Sequence, residues 1–172
     1  MSMNRIASFQ KVSFKQCREG YGDAFGDKPE AEILAVYDRI VLPKRATAGS
    51  AGYDFRLTAD VTLAPGESVK IPTGIRSLLA PAYCLMIFPR SGLGFKYRLQ
   101  LNNTVGIIDS DYASSDKEGH IFIKLTNDSR EGRVLTLKEG EAFAQGIFIA
   151  YGITEDDDAD GIRNGGFGST SV

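Results

Sequence analysis

Tryptophan is absent from the 172 residues, histidine occurs once and cysteine twice. The cysteines, Cys17 and Cys84, stand far apart and outside any C-x-x-C pattern. They offer neither a disulfide framework nor a zinc site, and a reducing cytoplasm is the expected location. His120 has no companion with which to form a metal set. No run approaches the roughly 18 apolar residues of a membrane span, and the first residues lack the apolar core of a secretory signal, which argues against insertion and secretion. A charge excess is missing too. Twenty Lys+Arg against 22 Asp+Glu leave a net charge of -2, without the basic surplus of a non-specific nucleic-acid binder, so any phosphate recognition must be local. What remains is a chain with 42% hydrophobic residues, enough for one core. At this length folding hides about 70% of the surface that the unfolded chain exposes.

From Arg39 to about Tyr151 no segment sustains apolar residues at i, i+3, i+4 and i+7, and no internal repeat occurs. Short alternating runs are there instead. Val61 and Leu63, the Pro65-Gly66 turn, and Val69 with Ile71 up to Pro72 predict a hairpin. Ile121, Ile123 and Leu125 share one face, residues 134–137 form another run, and Gly140 precedes the apolar stretch 143–151. The spacing predicts a mostly β fold, a jelly-roll-like barrel or sandwich.

The two ends differ in texture. Ser13-x-x-Gln16 is a capping-box pattern that opens a short helix over residues 14–21, and Gly20, Gly22, Gly26 and Pro29 predict its end and a following loop. Residues 1–38 read as a packing extension and residues 39–154 as the β domain. Glu155-Asp156-Asp157-Asp158 with Asp160 reads as a solvated acidic linker. It leads into a glycine-rich tail, predicted to be a flexible arm carrying one charge, Arg163, and one aromatic plate, Phe167, within residues 155–172.

Four segments carry candidate chemistry. Pro89-Arg90-Ser91-Gly92-Leu93-Gly94 ends an apolar run, at what reads as a strand-to-loop transition, with a guanidinium, a hydroxyl and exposed backbone suited to phosphate. In isolation, Arg and Ser capping a strand end explains it better. In residues 102–112 a turn and a buried-strand pattern lead to Asp109 and Asp111. Alternation would place both acids on one side of an extended chain, where one could orient a water and the other hold a partner or cation. Ordinary Asx turns remain the alternative, and Tyr112 is core or ligand platform. Asp54, after Ala51-Gly52-Tyr53, can pair with an arginine, and Gln145, inside an apolar run, can satisfy a backbone group.

Together and in this order these segments resemble the trimeric, all-β dUTP diphosphatase (dUTPase) family. Its five motifs are matched by Ala51-Gly52-Tyr53-Asp54, Pro89-Arg90-Ser91-Gly92-Leu93-Gly94, Gly106-Ile107-Ile108-Asp109-Ser110-Asp111-Tyr112, Ala144-Gln145 and Gly165-Gly166-Phe167-Gly168-Ser169-Thr170. The resemblance spans about residues 39–172. It implies hydrolysis of dUTP to dUMP and pyrophosphate, limiting uracil in DNA and supplying dUMP for thymidylate synthesis.

The same resemblance implies roles. Asp109 would orient or deprotonate the water that attacks the α-phosphorus, Asp54 would support the charged network, and Arg163 would approach the γ-phosphate. Arg90, Ser91, Gly92 and Gln145 would hold the phosphate chain. Asn103 and the hairpin main chain, including Gly106 and Ile108, would read the uracil edge, and Tyr112 would pack beneath the deoxyribose and exclude a 2′-hydroxyl. Phe167, with Gly168 and Ser169, would close over the substrate. Mg2+ would bind through the triphosphate and water, with no protein ligand named. A homotrimer with shared sites is implied, with no direct nucleic-acid or membrane partner and a regulatory protein partner left open. Two departures carry expectations of their own. Ala113-Ser114-Ser115-Asp116-Lys117-Glu118 is an apparent insertion that enlarges a surface loop, and Glu141-Ala142 stands where Asp-Arg is common, which removes a supporting ion pair. A dCTP deaminase-like enzyme on a related trimeric fold and a regulatory binding protein on the same scaffold are the competing readings, separable by product analysis.

Overall fold

In a computed structural model the structure describes residues 4–162. In chain order the elements are β1 (Ala7–Lys11), α1 (Phe14–Phe25), α2 (Glu30–Arg39), β2 (Lys44–Arg45), β3 (Tyr53–Arg56), β4 (Val61–Leu63), β5 (Ser68–Pro72), β6 (Ile75–Leu79), β7 (Tyr83–Pro89), α3 (Ser91–Tyr97), β8 (Leu99–Leu101) and β9 (Gly106–Ile108). A 3-10 turn (Tyr112–Ser114), β10 (Phe122–Asn127), β11 (Leu135–Leu137) and β12 (Ala142–Ala150) follow. Every strand pair is antiparallel, and the largest sheet has the order β2-β3-β12-β7-β9. A second sheet runs β5-β10-β8, with β1-β6 and β4-β11 as flanking pairs. The mostly β, jelly-roll-like fold is the one the alternation predicts.

Alternation builds the core directly. Ile121, Ile123 and Leu125 turn inward and meet Phe55, Ile71, Leu85, Ile87, Leu135 and Phe143, all at most 2% exposed. β12 crosses the middle of its sheet, and Gly146 lets it do so. A Cβ at position 146 would stand 2.7 Å from Leu85 Cδ1 and 3.0 Å from Phe55 Cε2, so the close approach requires the missing side chain.

Four expectations change. β4 and β5 do not form a hairpin pair, although their turn exists, with the Glu67 N–H donating to Ala64 O at 3.0 Å. Fully buried Asn127 is the reason. Its amide donates to Leu63 O and Arg133 O while its main chain bonds Gly66 and Glu67, which holds the two strands in different sheets. The segment after Arg90 is not a loop but the short α3, closed at Arg98 in the left-handed conformation (φ 50°). Two glycines in seven residues conceal it, since glycine weakens a helix.

The extension likewise holds more than one helix and a loop. β1 pairs along β6, placing Phe9 among Tyr53, Phe55 and Phe148 with ring centroids 5.4–5.7 Å apart. α1 starts at Ser13 as the capping pattern indicates, the Gln16 N–H donating to Ser13 Oγ at 3.2 Å, but it continues through Gly20 and Gly22 to Phe25. α2 follows Pro29, with Glu30 and Glu32 in its first turn and Arg39 in its last, and Ile33 and Val36 pack on Tyr21. Finally, the insertion is more than loop enlargement. Glu118 accepts from the Ser13 N–H at 2.8 Å and from Ser13 Oγ at 2.6 Å, pinning the insertion to the start of α1. The two cysteines are free and buried, and burial pushes the Cys17 thiol up to about 11.

Candidate active site

Two groups of predicted residues assemble, one where β7 runs out into Arg90 and one around the β8–β9 turn and the segment that follows β9. The first forms where β3, β12 and β7 run side by side. Register places Gln145 opposite Asp54 on one side and Phe88 on the other, and the chain leaves β7 at Pro89 into Arg90. The Arg90 N–H donates to Phe143 O at 3.2 Å, which fixes the backbone, and the guanidinium Nε lies 3.4 Å from Asp54 Oδ1. The Arg90 side chain is 47% exposed, so its fork faces solvent while Asp54 holds its base. Gln145 donates weakly from Nε2 to Pro89 O at 3.4 Å. Gly52 accounts for that posture: a Cβ there would stand 2.5 Å from Gln145 Oε1. Ser91 and Gly92 open α3 next to Arg90, and among the described residues nothing beyond its chain neighbours and its own helix backbone lies within 4 Å of a Cβ built on Gly92. Lys138 N–H donates to Glu141 at 2.6 Å, so Glu141 closes the turn before β12.

The second group surrounds a cavity of about 700 Å3 whose wall includes Asn103, Gly106, Ile108, Tyr112 and Phe122. A tight turn joins β8 to β9, with the Thr104 N–H donating to Leu101 O at 3.0 Å and Thr104 at φ 66°. Gly106 permits the hairpin to press on β7, since a Cβ there would be 3.2 Å from that of Ile87. Tyr112 is 4% exposed and donates its hydroxyl proton to His120 O at 2.9 Å. Asp109 leaves β9 beside Cys84, the thiol of which is pushed up by burial and then by the Asp109 charge. Strand alternation does not reach Asp111: the strand ends at Ile108, and Asp111 sits in the helical region (φ -85°, ψ -10°) at the start of the 3-10 turn.

Antiparallel register between β7 and β9 separates Asp109 from Arg90, although it brings Gly106 opposite Ile87. Leu85 faces Ile108, which puts Asp109 near position 84, whereas Arg90 follows the far end of the strand. From position 84 to position 90 an extended chain covers about 20 Å. One chain therefore does not bring Asp109 to its own Arg90. Arg163, Phe167, Gly168 and Ser169 lie outside the described residues. Among those described, no three His, Cys, Asp or Glu side chains cluster as a metal site.

Sequence reasoning overlooked the supports behind the second group. His120, read as unremarkable, is fully buried, its Nε2 accepting from the Gly74 N–H at 2.9 Å, and burial lowers its pKa to about 4. Glu118 is held below the ordinary carboxylate range by its two bonds from Ser13. The signal was a capping box whose glutamine never returns the bond: Glu118, 105 positions away, takes the Ser13 N–H instead.

Fold and site geometry define an all-β protein with a nucleotide-sized cavity and a separate Asp-Arg-Gln cluster. The dUTPase family model matches residues 38–171, and the chain belongs to that family. A deoxyuridine 5'-triphosphate nucleotidohydrolase of Tolumonas auensis is 43% identical over 151 residues, covering 82% of this chain and 95% of the relative. The crystal structure of the Streptococcus mutans dUTPase superposes with a TM-score of 0.60 at 35% identity, over 69% of this chain and 91% of that one. A mutant dUTPase from phage phi11 of S. aureus, described with a structural Mg(II) ion, shares the fold at 21% identity and a TM-score of 0.57, over 70% and 90% of the two chains. No helix among the described residues is long and apolar enough to cross a membrane.

Proposed function

We propose that the chain is a dUTP diphosphatase that hydrolyses dUTP to dUMP and pyrophosphate in the cytoplasm. The observation that supports this reading is that β9, which Asp109 directly follows, lines a cavity of about 700 Å3 together with Asn103 and Tyr112. A water becomes a competent nucleophile once a carboxylate takes its proton, and this reading assigns that task at the α-phosphorus to Asp109. Asn103 and the main chain at Gly106 and Ile108 read the uracil edge. A buried edge left unpaired by cytosine rejects that base. Tyr112 forms the floor under the deoxyribose.

Arg90, Ser91, Gly92 and Gln145 hold the phosphate chain, with Asp54 orienting Arg90. Because Asp109 and Arg90 of one chain are about 20 Å apart, a complete site takes them from different subunits. A homotrimer with three shared sites meets that requirement. Arg163 is assigned to the γ-phosphate, and Phe167, Gly168 and Ser169 to closure over the substrate. Phosphate oxygens are hard donors, and with no cluster of His, Cys, Asp or Glu among the described residues to compete for it, an Mg2+ would be held mainly by triphosphate and water and would supply charge neutralisation there. Residues 39–154 are the catalytic domain in this reading, residues 1–38 its extension, and residues 155–172 linker and arm.

Purified protein with Mg2+ is to be assayed for pyrophosphate release from dUTP and the four standard dNTPs. Release from dUTP alone is expected. Ammonia from dCTP, or no turnover of dUTP, would overturn the reading.

A further inference from the structure

The wall of the nucleotide cavity at Tyr112 is braced from behind. The Tyr112 hydroxyl donates to the His120 carbonyl at 2.9 Å, and the His120 ring packs on Phe122, a neighbouring wall residue, with centroids 4.3 Å apart. His120 is itself fixed, with Nε2 accepting from the Gly74 N–H. Gly20 of α1 stands against both rings. A Cβ built at Gly20 would lie 2.6 Å from His120 Cε1, 2.9 Å from His120 Nδ1 and 2.9 Å from Phe122 Cζ. α1 is pinned to the insertion by the paired bonds from Ser13 to Glu118, and one turn beyond Gly20 its Asp23 pairs with Lys70 at the cavity wall. A continuous packed path thus runs from Glu118 through Ser13, Gly20 and His120 to Tyr112.

Resting on the sugar-platform reading of Tyr112 given above, we propose that α1 and the insertion form a buttress that sets the height of Tyr112 beneath the sugar, with Gly20 and Glu118 as positioning residues for rejection of ribonucleotides. The physical reason is steric. A single 2′-hydroxyl is excluded only where the floor cannot recede, and a floor backed by close-packed groups does not recede. Deoxyribose makes no such demand, so loosening the buttress admits UTP more than it harms dUTP. Both parts of the buttress, the extension and the insertion, lie outside the motifs that perform the chemistry.

The test compares kcat/KM for dUTP and UTP in the full-length assembled protein carrying Gly20→Ala, Glu118→Ala, Tyr112→Phe or Tyr112→Ala. Tyr112→Phe, which cuts the bond to His120 but leaves the ring, is expected to lower the dUTP-to-UTP preference by about tenfold or more, whereas Gly20→Ala, which drives the His120 ring and Phe122 forward so that the floor cannot recede, is expected to leave the preference at least as high while lowering kcat/KM for dUTP. Glu118→Ala, at the exposed end of the path, is expected to lower the preference severalfold, and it carries the test if Gly20→Ala fails to fold. A preference unchanged in Glu118→Ala and Tyr112→Phe, while Tyr112→Ala loses it, overturns the buttress and leaves the platform standing. An equal loss of activity on both nucleotides in Glu118→Ala and Tyr112→Phe, with the ratio intact, is the mark of a merely structural role and also overturns it. Full preference retained in Tyr112→Ala removes the platform and the buttress together.

Discussion

His120 is expected to make the protein acid-sensitive in a defined window. Burial lowers its pKa from an ordinary 6.5 to about 4, with the Glu118 charge opposing the shift and those of Lys117 and Lys70 adding to it. The geometry agrees. Nε2 accepts from the Gly74 N–H, so a proton on Nε2 would confront another donor, and Nδ1 has no partner among the described residues. The folded-state pKa lies below the unfolded one, so between pH 6.5 and 4 the unfolded chain binds more protons, and stability falls as the pH falls through that interval. A difference of about 2.5 units corresponds to roughly 3 kcal/mol, fully present above pH 6.5 and lost by about pH 4. The assay is guanidinium unfolding at fixed protein concentration from pH 7.5 to 4, beside His120→Gln, the amide oxygen of which can still accept from Gly74. Glu118, Asp23 and Asp60, all with lowered pKa values, contribute acid lability to both proteins, so the difference between the two curves isolates the histidine. His120→Gln should be less stable at neutral pH and lose less on acidification. Parallel curves over the whole interval would refute the burial argument.

Asp109→Asn keeps the size of the side chain but removes the proton acceptor, and turnover should fall at least about 100-fold with dUTP binding largely kept, as read by single-turnover kinetics and titration calorimetry. Asn103→Ala should weaken dUTP binding by about 1–3 kcal/mol by leaving a base edge unpaired, measured as Kd on the Asp109→Asn background. Gly146→Ala places a methyl against Leu85 and Phe55 and should destabilise the fold by about 1–3 kcal/mol in chemical denaturation. Two nearly inactive proteins, Asp109→Asn and a truncation ending before Ile162, should recover about one-quarter of all sites when reassembled 1:1 as trimers; verified subunit exchange without recovered activity would reject shared sites.

Where the sequence was legible, the reason was local. Ile121, Ile123 and Leu125 alternate because one face of β10 is buried, and a period of two is visible within a few residues. The cluster of Asp54, Arg90 and Gln145 was legible for another reason: each sits in a short motif that the family resemblance matches in order. What stayed hidden depended on distant partners. β1 alternates weakly, with Ala7, Phe9 and Lys11 on its inner side, and it is a strand because the edge of β6 is there to receive it. The hairpin at Pro65-Gly66 failed because Asn127, more than sixty positions later, competes for the same backbone groups. The expectation for Asp111 rested on alternation carried past Ile108, where the strand ends. Proline and glycine at positions 26 and 29 mark a boundary between two helices rather than the end of helical structure, and the acidic first turn and Ile33/Val36 spacing of α2 were the signals to weigh.

The length of β7 decides how the site has to be completed. Its seven residues are paired on both sides, by β12 along the whole strand and by β9 at Leu85–Ile87, so they cannot fold back to bring their two ends together. Residues fixed near its opposite ends, Asp109 and Arg90, are held apart as firmly as the sheet is held together. Movement within one chain would have to break the central pairing of the largest sheet and expose Leu85 and Ile87, which are at most 1% exposed. Such a change would sacrifice several kilocalories of apolar burial, at about 1.5–3 kcal/mol for each large side chain. Association costs no internal contact, because the half-exposed Arg90 fork and the open surface over Gly92 already face outward. In the proposed trimer, the rigidity that keeps Asp109 from its own Arg90 also presents each half in fixed geometry to a neighbouring subunit. On that proposal the chemistry depends on assembly: dilution below the dissociation range of the oligomer should abolish dUTP hydrolysis while leaving the fold of each chain intact.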